Sequence, residues 1–291
     1  CIKYRGVDEQ GVEDLGQAVL GHARLAVVDP ENGMQPMSST DGKVWVVFNG
    51  EIYNHLALRK ELEAKGHRFT TDHSDTEVLV HGWRQWGEQL PEKLNGMFAF
   101  AIWDVKARSL FLARDRFGVK PLYLARSQSG TLAFASEVRA LHASGLIARE
   151  DDPAAVADYF GLMNNWNGRT PFKRVELMRP GSWRKITPTG QTESVYWRFR
   201  MDRHPPRKGG LASAAAEFRE LLLATVKSQV QADVPVMTYL SGGIDSSVCA
   251  ALAVKALGPD KVFGIFMPEH HSAGESLELG QQLAKSLGIQ A

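Results

Sequence analysis

The sequence lacks the features that mark secreted, membrane-spanning and nucleic-acid-binding proteins. It has two cysteines, Cys1 and Cys249, and no C-x-x-C pair, which excludes a disulfide framework and a cysteine-based zinc site. No apolar run approaches the roughly 18 residues that span a bilayer, and no charged-then-apolar signal segment opens the sequence. A net charge of +1 gives no electrostatic reason to bind nucleic acid or an acidic membrane surface. We therefore expect a cytoplasmic protein that binds neither nucleic acid nor membranes, with Cys249 packed in its core.

What is present is the composition of an ordinary globular protein, 44% hydrophobic and 23% charged. Its 291 residues suggest about two domains. Residues 202–212 combine prolines, glycines and charged residues, and the hydrophobic periodicity differs on either side of them. The sequence therefore predicts a first domain over 1–201, a linker over 202–212 and a second domain over 213–291.

The two predicted domains differ in fold class. The first has short strand-like runs, such as Lys43 to Phe48 and Met97 to Trp103, interrupted by amphipathic helices at Asn54 to Lys65 and Asp75 to Trp86. Grouped strands with helices on their faces predict an α+β sandwich. The second domain alternates helix and strand, which predicts a doubly wound, parallel α/β sheet whose ligand lies at the carboxyl ends of the strands.

The stretch from Leu240 to Ser247 carries the clearest chemical signal. It has the sequence Leu-Ser-Gly-Gly-Ile-Asp-Ser-Ser and joins a predicted strand to an alanine-rich helix. Glycines let successive backbone N–H groups converge on an anion at the positive end of a helix, and serine hydroxyls add donors. No Walker A motif occurs, so the stretch predicts phosphate binding without a lysine clamp. An ordinary strand-to-helix turn with a serine cap is the alternative.

Further motifs precede this loop along the chain. They are Gly21-His22-Ala23-Arg24-Leu25, Phe48-Asn49-Gly50-Glu51-Ile52-Tyr53-Asn54, His73-Ser74-Asp75-Thr76-Glu77, Asn95-Gly96-Met97-Phe98-Ala99-Phe100-Ala101, Ala113-Arg114-Asp115-Arg116-Phe117-Gly118-Val119-Lys120-Pro121-Leu122-Tyr123 and Phe134-Ala135-Ser136-Glu137. Together with the loop motif Ser-Gly-Gly-x-Asp-Ser, they resemble the glutamine-hydrolysing asparagine synthetases over about residues 5 to 291. The resemblance implies a class II glutamine amidotransferase domain, an α+β sandwich of the N-terminal-nucleophile type, followed by part of an α/β ATP-pyrophosphatase synthetase domain.

The resemblance implies roles for four residues of the first domain. Arg24 matches the arginine that binds the glutamine α-carboxylate, a task suited to a planar, permanently charged fork. Asp75 matches the acid that pairs with the α-ammonium. Asn49 and Gly50 match the oxyanion hole, where a side-chain and a backbone N–H meet the charge on the carboxamide oxygen. Taken alone, each has a structural interpretation: a tight turn for Asn49-Gly50, a helix cap for Asp75 and a paired strand arginine for Arg24.

Cys1 stands at the position of the family's catalytic nucleophile, whose own α-amino group accepts the thiol proton. Its surroundings depart from the family pattern. Arg5-Gly6-Val7-Asp8 follows almost directly, with Val7 in place of a proline, so we expect the first strand and helix of the family domain to be missing. Two interpretations of Cys1 therefore stay open, the nucleophile and an incidental cysteine.

For the second domain the resemblance implies an ATP and pyrophosphate site. Its residues would be Leu240, Ser241, Gly242, Gly243, Asp245, Ser246 and Ile265. Asp245 would hold Mg²⁺, although one carboxylate is a poor metal site by itself. The family's second synthetase motif, Ser-Gly-Glu-Gly-Ser-Asp-Glu, does not occur, so we expect an incomplete synthetase domain. Residues 266–277 resemble the corresponding region of NAD synthetases more than that of typical asparagine synthetases.

The function implied is glutamine-dependent asparagine synthesis. Glutamine would be hydrolysed to ammonia, ATP would adenylate aspartate, and ammonia would displace AMP after pyrophosphate release. The cofactors would be ATP and Mg²⁺, the partners would be the small molecules glutamine, aspartate and ATP, and a homodimer is compatible with the sequence. Two alternatives stay open: a related glutamine-dependent amide ligase with another acceptor acid, and a catalytically incomplete glutamine-binding fragment.

Overall fold

A computed structural model describes residues 1–165, 168–201, 209–241, 243–266 and 274–291. The chain divides into two compact units, Cys1–Phe199 and Arg200–Ala291. The strands of the first unit are β1 (Glu9–Asp14), β2 (Val19–Arg24), β3 (Met37–Ser38), β4 (Val44–Ile52), β5 (Gly96–Asp104), β6 (Ser109–Arg114), β7 (Tyr123–Arg126), β8 (Leu132–Ala135), β9 (Val175–Leu177), β10 (Ser182–Thr187) and β11 (Gly190–Val195). Its α-helices are α1 (His55–Ala64), α2 (Asp75–Trp86), α3 (Leu90–Lys93), α4 (Val138–Ala143) and α5 (Pro153–Leu162).

A six-stranded antiparallel sheet, in the order β11-β10-β6-β5-β4-β3, separates two layers of core in the described part of the first unit. Its strands β4 and β5 bury apolar side chains on both faces, as expected for strands inside a sandwich. Phe98, Phe100 and Ile102 of β5 pack against α1 and α2, whereas the side chains between them pack against β2 and a second sheet of order β8-β7-β9. The predicted α+β sandwich is confirmed.

The second unit contains a parallel pair of strands and three α-helices among its described residues. These are α6 (Leu211–Gln229), β12 (Val236–Leu240), α7 (Ile244–Leu257), β13 (Val262–Phe266) and α8 (Gly274–Leu287). Leu240 and Val262 pack against Ala250 of α7 in a small core of their own. The alternation of helix and strand with parallel pairing confirms the α/β class for this unit.

Some local predictions were wrong. The apolar run from Ala18 to Val28 predicts one strand, but strand β2 ends at Arg24, and the chain has turned by Asp29, which has a positive φ of 46°. The alanine-rich pattern from Ser246 to Leu257 predicts a helix start at Ser246, but α7 begins at Ile244. The prediction that Cys249 packs in the core was wrong, because Cys249 is exposed and does not belong to the apolar cluster that α7 forms with β12 and β13. No helix within the described ranges has both the length and the apolar character needed to cross a membrane.

Candidate functional site

A cavity of about 560 Å³ lies in the first unit, lined by strands of all three of its described sheets. Its walls come from β2, from β4 and β5, from β8 and from the first turn of α2. Arg24, Asn49, Gly50 and Asp75 all line it. The fold therefore brings together four predicted site residues that three separate segments of the chain contribute.

Asn49 and Gly50 lie inside β4, where Gly50 pairs with Phe98 of β5, so the tight-turn interpretation was wrong. A Cβ at Gly50 would lie 2.0 Å from the Met97 carbonyl oxygen, and the backbone φ there is +152°. Only glycine fits this close approach of two strands. The Asn49 Nδ2 group donates to Ser136 Oγ at 3.4 Å, which holds the amide near the cavity wall.

Asp75 is a buried acid at the start of α2, and Ser74, not Asp75, is the N-cap residue. Its carboxylate accepts a hydrogen bond from the Ile52 amide at 3.0 Å. Burial raises the pKa of Asp75 to about 7; the hydrogen bond from Ile52 acts against this rise, and the charge of Glu51 adds to it. No ion pair joins Asp75 to a basic residue in the described part of the chain. A cation bound in the cavity could therefore form an ion pair with the Asp75 carboxylate.

Arg24 lies in the wall of the cavity, but its guanidinium already contacts four oxygen atoms. It donates to Glu9 Oε2 at 2.9 Å and to the carbonyl oxygens of Val28, Asp29 and Pro30 at 3.1, 2.8 and 2.8 Å. The paired-arginine interpretation thus describes this structure. A glutamine carboxylate would have to compete with Glu9 for Arg24.

Eight polar residues line the cavity in addition to the predicted set. They are Arg5, His22, Gln35, Glu51, Thr76, Lys120, Ser136 and Ser144. Burial raises the pKa of Glu51, and the nearby Lys120 opposes this rise. Glu51 and Ser136 lie in motifs on which the family resemblance rests, so the sequence could have indicated both as cavity residues. Gln35 lies outside these motifs, so the sequence could not have indicated it.

Cys1 is exposed, and its thiol lies 3.7 Å from the Arg139 carbonyl oxygen. Ile2 and Arg5 line the cavity, whereas Cys1 is not among the described residues of its wall. The segment is held through Glu137, which accepts a hydrogen bond from Arg5 at 2.9 Å. The nucleophile role of Cys1 stays a prediction, because the described contact of its thiol is with the Arg139 carbonyl and Cys1 is not among the residues that line the cavity.

The predicted phosphate loop connects β12 to α7. The Ser241 amide and hydroxyl donate to Ser246 Oγ at 3.3 and 3.1 Å, and Ser246 Oγ donates to the Gly243 carbonyl at 3.0 Å. Gly243 is the N-cap of α7, and Asp245 is exposed in the first turn of that helix. Gly242 lies outside the described residues. The free N–H groups at a helix start and the exposed Asp245 suit an anion with a bound cation.

Leu240 and Ile265 lie on the neighbouring parallel strands, where Tyr239 pairs with Ile265 and Leu240 pairs with Phe266. The Leu240 side chain is 3% exposed and belongs to the core of the second unit. A contact from Leu240 to a nucleotide would therefore use its main chain. No cluster of three or more His, Cys, Asp or Glu side chains that could hold a metal ion occurs within the described ranges.

Comparison with known protein families gives two matches. Residues 1–197 match the family of the glutamine amidotransferase domain, and residues 217–291 match the NAD synthase family. Glutamine-hydrolysing asparagine synthetase 3 of Bacillus subtilis is 41% identical over 258 residues, which cover 87% of this chain and 41% of that protein. Synthetase 1 of the same organism is 36% identical and covers 99% of this chain and 45% of that protein.

Similar relatives occur in plants and among solved structures. Glutamine-hydrolysing asparagine synthetase 2 of Arabidopsis thaliana is 31% identical over 99% of this chain and 45% of that protein. The glutamine phosphoribosylpyrophosphate amidotransferase of Bacillus subtilis, solved with ADP and GMP, has 19% identity over 89% of this chain and 55% of that chain, with a TM-score of 0.44. The chain spans less than half the length of the curated relatives named here.

The close approach at Gly50 yields a prediction about stability. We expect Gly50→Ala to lower the free energy of unfolding by more than about 3 kcal/mol, because the added methyl group meets the Met97 carbonyl. Gly42→Ala is the matched control: Gly42 also has a positive φ, of +66°, but nothing lies within 4 Å of an added Cβ. It should cost about 1 kcal/mol. Urea denaturation of both variants measures the difference, and equal losses would contradict the steric argument.

Proposed function

Since residues 1–197 of the chain match the glutamine amidotransferase domain, the chain belongs to that family, and we propose that the cavity of its first unit binds glutamine for asparagine synthesis. The observation that carries this proposal is the carboxylate of Asp75, which lies at the cavity wall and whose pKa is raised by burial and by the charge of Glu51. The α-ammonium of an amino acid would supply a positive charge beside it.

The remaining groups of the glutamine molecule have partners in the same cavity. Arg24 would bind the α-carboxylate by exchanging Glu9 for it, since a guanidinium suits a carboxylate. The Asn49 side-chain amide and the Gly50 backbone N–H would stabilise the oxyanion that forms on the carboxamide oxygen. In this arrangement the cavity distinguishes the two ends of the amino acid by charge before any chemistry occurs.

Hydrolysis would use Cys1. Its sulfur would attack the carboxamide carbon, ammonia would leave, and water would hydrolyse the resulting thioester to glutamate. The α-amino group of Cys1 would accept the thiol proton and return it to the leaving nitrogen. The placement of the thiol at the Arg139 carbonyl favours a second candidate function, in which this chain binds glutamine without hydrolysing it.

In the second unit, we propose that the loop from Leu240 to Ser246, together with Ile265 and including Gly242, binds ATP and the pyrophosphate that leaves it. Main-chain N–H groups at the start of α7 would hold phosphate oxygens, and Asp245 is the residue that would hold Mg²⁺. Because no group of three or more possible metal ligands occurs among the described residues, the nucleotide phosphates would have to complete the coordination. Bound Mg²⁺ would neutralise charge on the leaving pyrophosphate.

We propose aspartate as the acceptor acid because the similar proteins are named asparagine synthetases. The domain division at 1–201, 202–212 and 213–291 belongs to the same proposal; residues 202–208 of the linker lie outside the described residues. A homodimer and a cytoplasmic location stay predictions from the sequence.

Glutamine binding should release protons in a pH-dependent way. At pH 6 most Asp75 side chains carry a proton in the free protein, and the α-ammonium would expel it by lowering the pKa. We expect close to one proton released at pH 6 and almost none above pH 8, measured by titration calorimetry in buffers of different ionisation enthalpy. Asp75→Asn should remove the release and weaken binding at least about tenfold, whereas the exposed change Asp151→Asn should leave both unchanged.

The same acid should affect stability without ligand. The folded pKa of Asp75 is raised, so its cost is absent at pH 4 and grows as the pH rises toward about 7. Asp75→Asn should therefore raise the melting temperature at pH 8 by several degrees relative to the parent, and by much less at pH 4. A variant that is destabilised equally at both pH values would contradict a charged, unpaired Asp75.

Ammonia release separates the two candidate functions of the first unit. If Cys1 is the nucleophile, Cys1→Ala should reduce ammonia release from glutamine to background while glutamine binding stays within about threefold of the parent. Cys249→Ala controls for loss of an exposed thiol. Binding without ammonia release in the parent would favour the binding function, and release unaffected by Cys1→Ala would remove Cys1 from the mechanism.

The phosphate loop can be tested on its own. Asp245→Asn should weaken Mg-ATP binding by about tenfold and leave binding of ATP in EDTA nearly unchanged, because the carboxylate acts through the cation. Asp260→Asn, an exposed acid of the same unit, is the control. Equal affinity of Asp245→Asn and the parent for Mg-ATP, measured by calorimetry, would remove Asp245 from the site.

A further inference from the structure

The segment from Asp29 to Gln35 contacts the three parts of the cavity that carry Arg24, Asn49-Gly50 and Asp75. We propose that Asp29 and Gln35 are positioning residues, which fix the distances between these parts and thereby set the affinity for glutamine. The inference rests on the proposed glutamine site and assigns roles to two residues for which the sequence indicated none.

Gln35 connects the middle of β4 to the start of α2 through its side-chain amide. Its Oε1 accepts a hydrogen bond from the Phe48 amide at 2.6 Å, and its Nε2 donates to Thr76 Oγ1 at 3.3 Å. Phe48 precedes Asn49, and Thr76 follows Asp75. One side chain therefore spans from the oxyanion segment to the ammonium-binding acid, and both of its functional groups are used in doing so.

Asp29 makes a similar connection between Arg24 and the segment that leads into Asp75. Its carbonyl oxygen accepts from Arg24 at 2.8 Å, while its carboxylate accepts from the His73 amide at 3.1 Å and from the Asn32 side chain at 2.9 Å. Burial acts to raise the pKa of this carboxyl, but hydrogen bonds led by that of Asn32 outweigh it and lower the pKa. Asp29 is 3% exposed, so these contacts are shielded from water.

These two residues act through others, because their polar atoms are already bonded to the protein. Their contribution is the geometry of the cavity: an ammonium site and an oxyanion site must keep a fixed separation to bind both ends of one amino acid. Gly33, between them, has a matching constraint, since a Cβ there would lie 2.3 Å from the Arg24 guanidinium. The whole segment is thus built around Arg24 on one side and the start of α2 on the other.

The test measures L-glutamine binding by calorimetry, and the melting temperature, on the full 291-residue chain. Gln35→Met removes both hydrogen bonds at similar volume and should weaken glutamine binding about five- to twentyfold. Gln35→Glu should stay within about threefold of the parent at pH 8, because its two oxygens can accept from the Phe48 N–H and the Thr76 hydroxyl. Glu31→Gln, an exposed change in the same segment, should alter nothing.

Thr76→Val is a second variant that breaks the Gln35 connection from its other end, should Gln35→Met fail to fold. We expect it to weaken binding severalfold with a melting temperature close to that of the parent. Asp29→Asn should also weaken binding, since its amide can supply only one acceptor oxygen where the carboxylate supplied two.

Each outcome decides a different question. A parent that does not bind glutamine overturns the proposed function and this inference with it. If Gln35→Met and Thr76→Val bind glutamine as tightly as the parent does, the inference is overturned and the proposed function is not. Equal weakening by Gln35→Met and Gln35→Glu also overturns it, because a loss unrelated to the two hydrogen bonds would then be the cause.

Discussion

The cavity of the first unit depends on one hydrogen bond, from the Ile52 amide to the Asp75 carboxylate. It joins the last residue of β4 to the first residue of α2, two elements that local sequence would not hold together. A carboxylate is a strong acceptor for a main-chain N–H, so the contact is stable even when buried. Because Asn49 and Gly50 lie in the same strand, the hydrogen bond also sets how far the acid stands from the predicted oxyanion hole.

The energetic cost of ionising the buried Asp75 indicates which kind of ligand the cavity suits. A buried acid beside a second acid, Glu51, resists ionisation, and its pKa rises accordingly. Packing elsewhere in the sandwich has to offset that cost, as with the large, fully buried side chains of β5. The cavity also contains the cations Arg24 and Lys120. A ligand that carries both an ammonium and a carboxylate can satisfy both signs of charge, which is the chemistry of an α-amino acid.

Sequence patterns predicted the elements of this structure better than their connections. Helix α2 has the bounds that its amphipathic pattern indicates. Strand β5 includes its predicted run, and β4 begins one residue after the predicted start at Lys43. Strand β1, from Glu9 to Asp14, was not predicted because it is mostly polar and its outward side chains are exposed. Gln35 was not predicted because its partners, Phe48 and Thr76, lie 13 and 41 residues away and become neighbours only in the folded chain.

The two candidate sites differ in how far their geometry depends on the rest of the fold. The hydrogen bonds among Ser241, Gly243 and Ser246 span no more than five residues, so a short motif is enough to specify that loop. The cavity of the first unit is assembled from segments far apart in the chain, and a motif can mark its residues without showing their partners. Arg24 illustrates the difference: its motif indicated a carboxylate ligand, and the fold supplies one from Glu9 before any substrate arrives. In the proposed site, glutamine binding would be an exchange of carboxylates on Arg24, and its affinity would depend in part on how readily Glu9 is displaced.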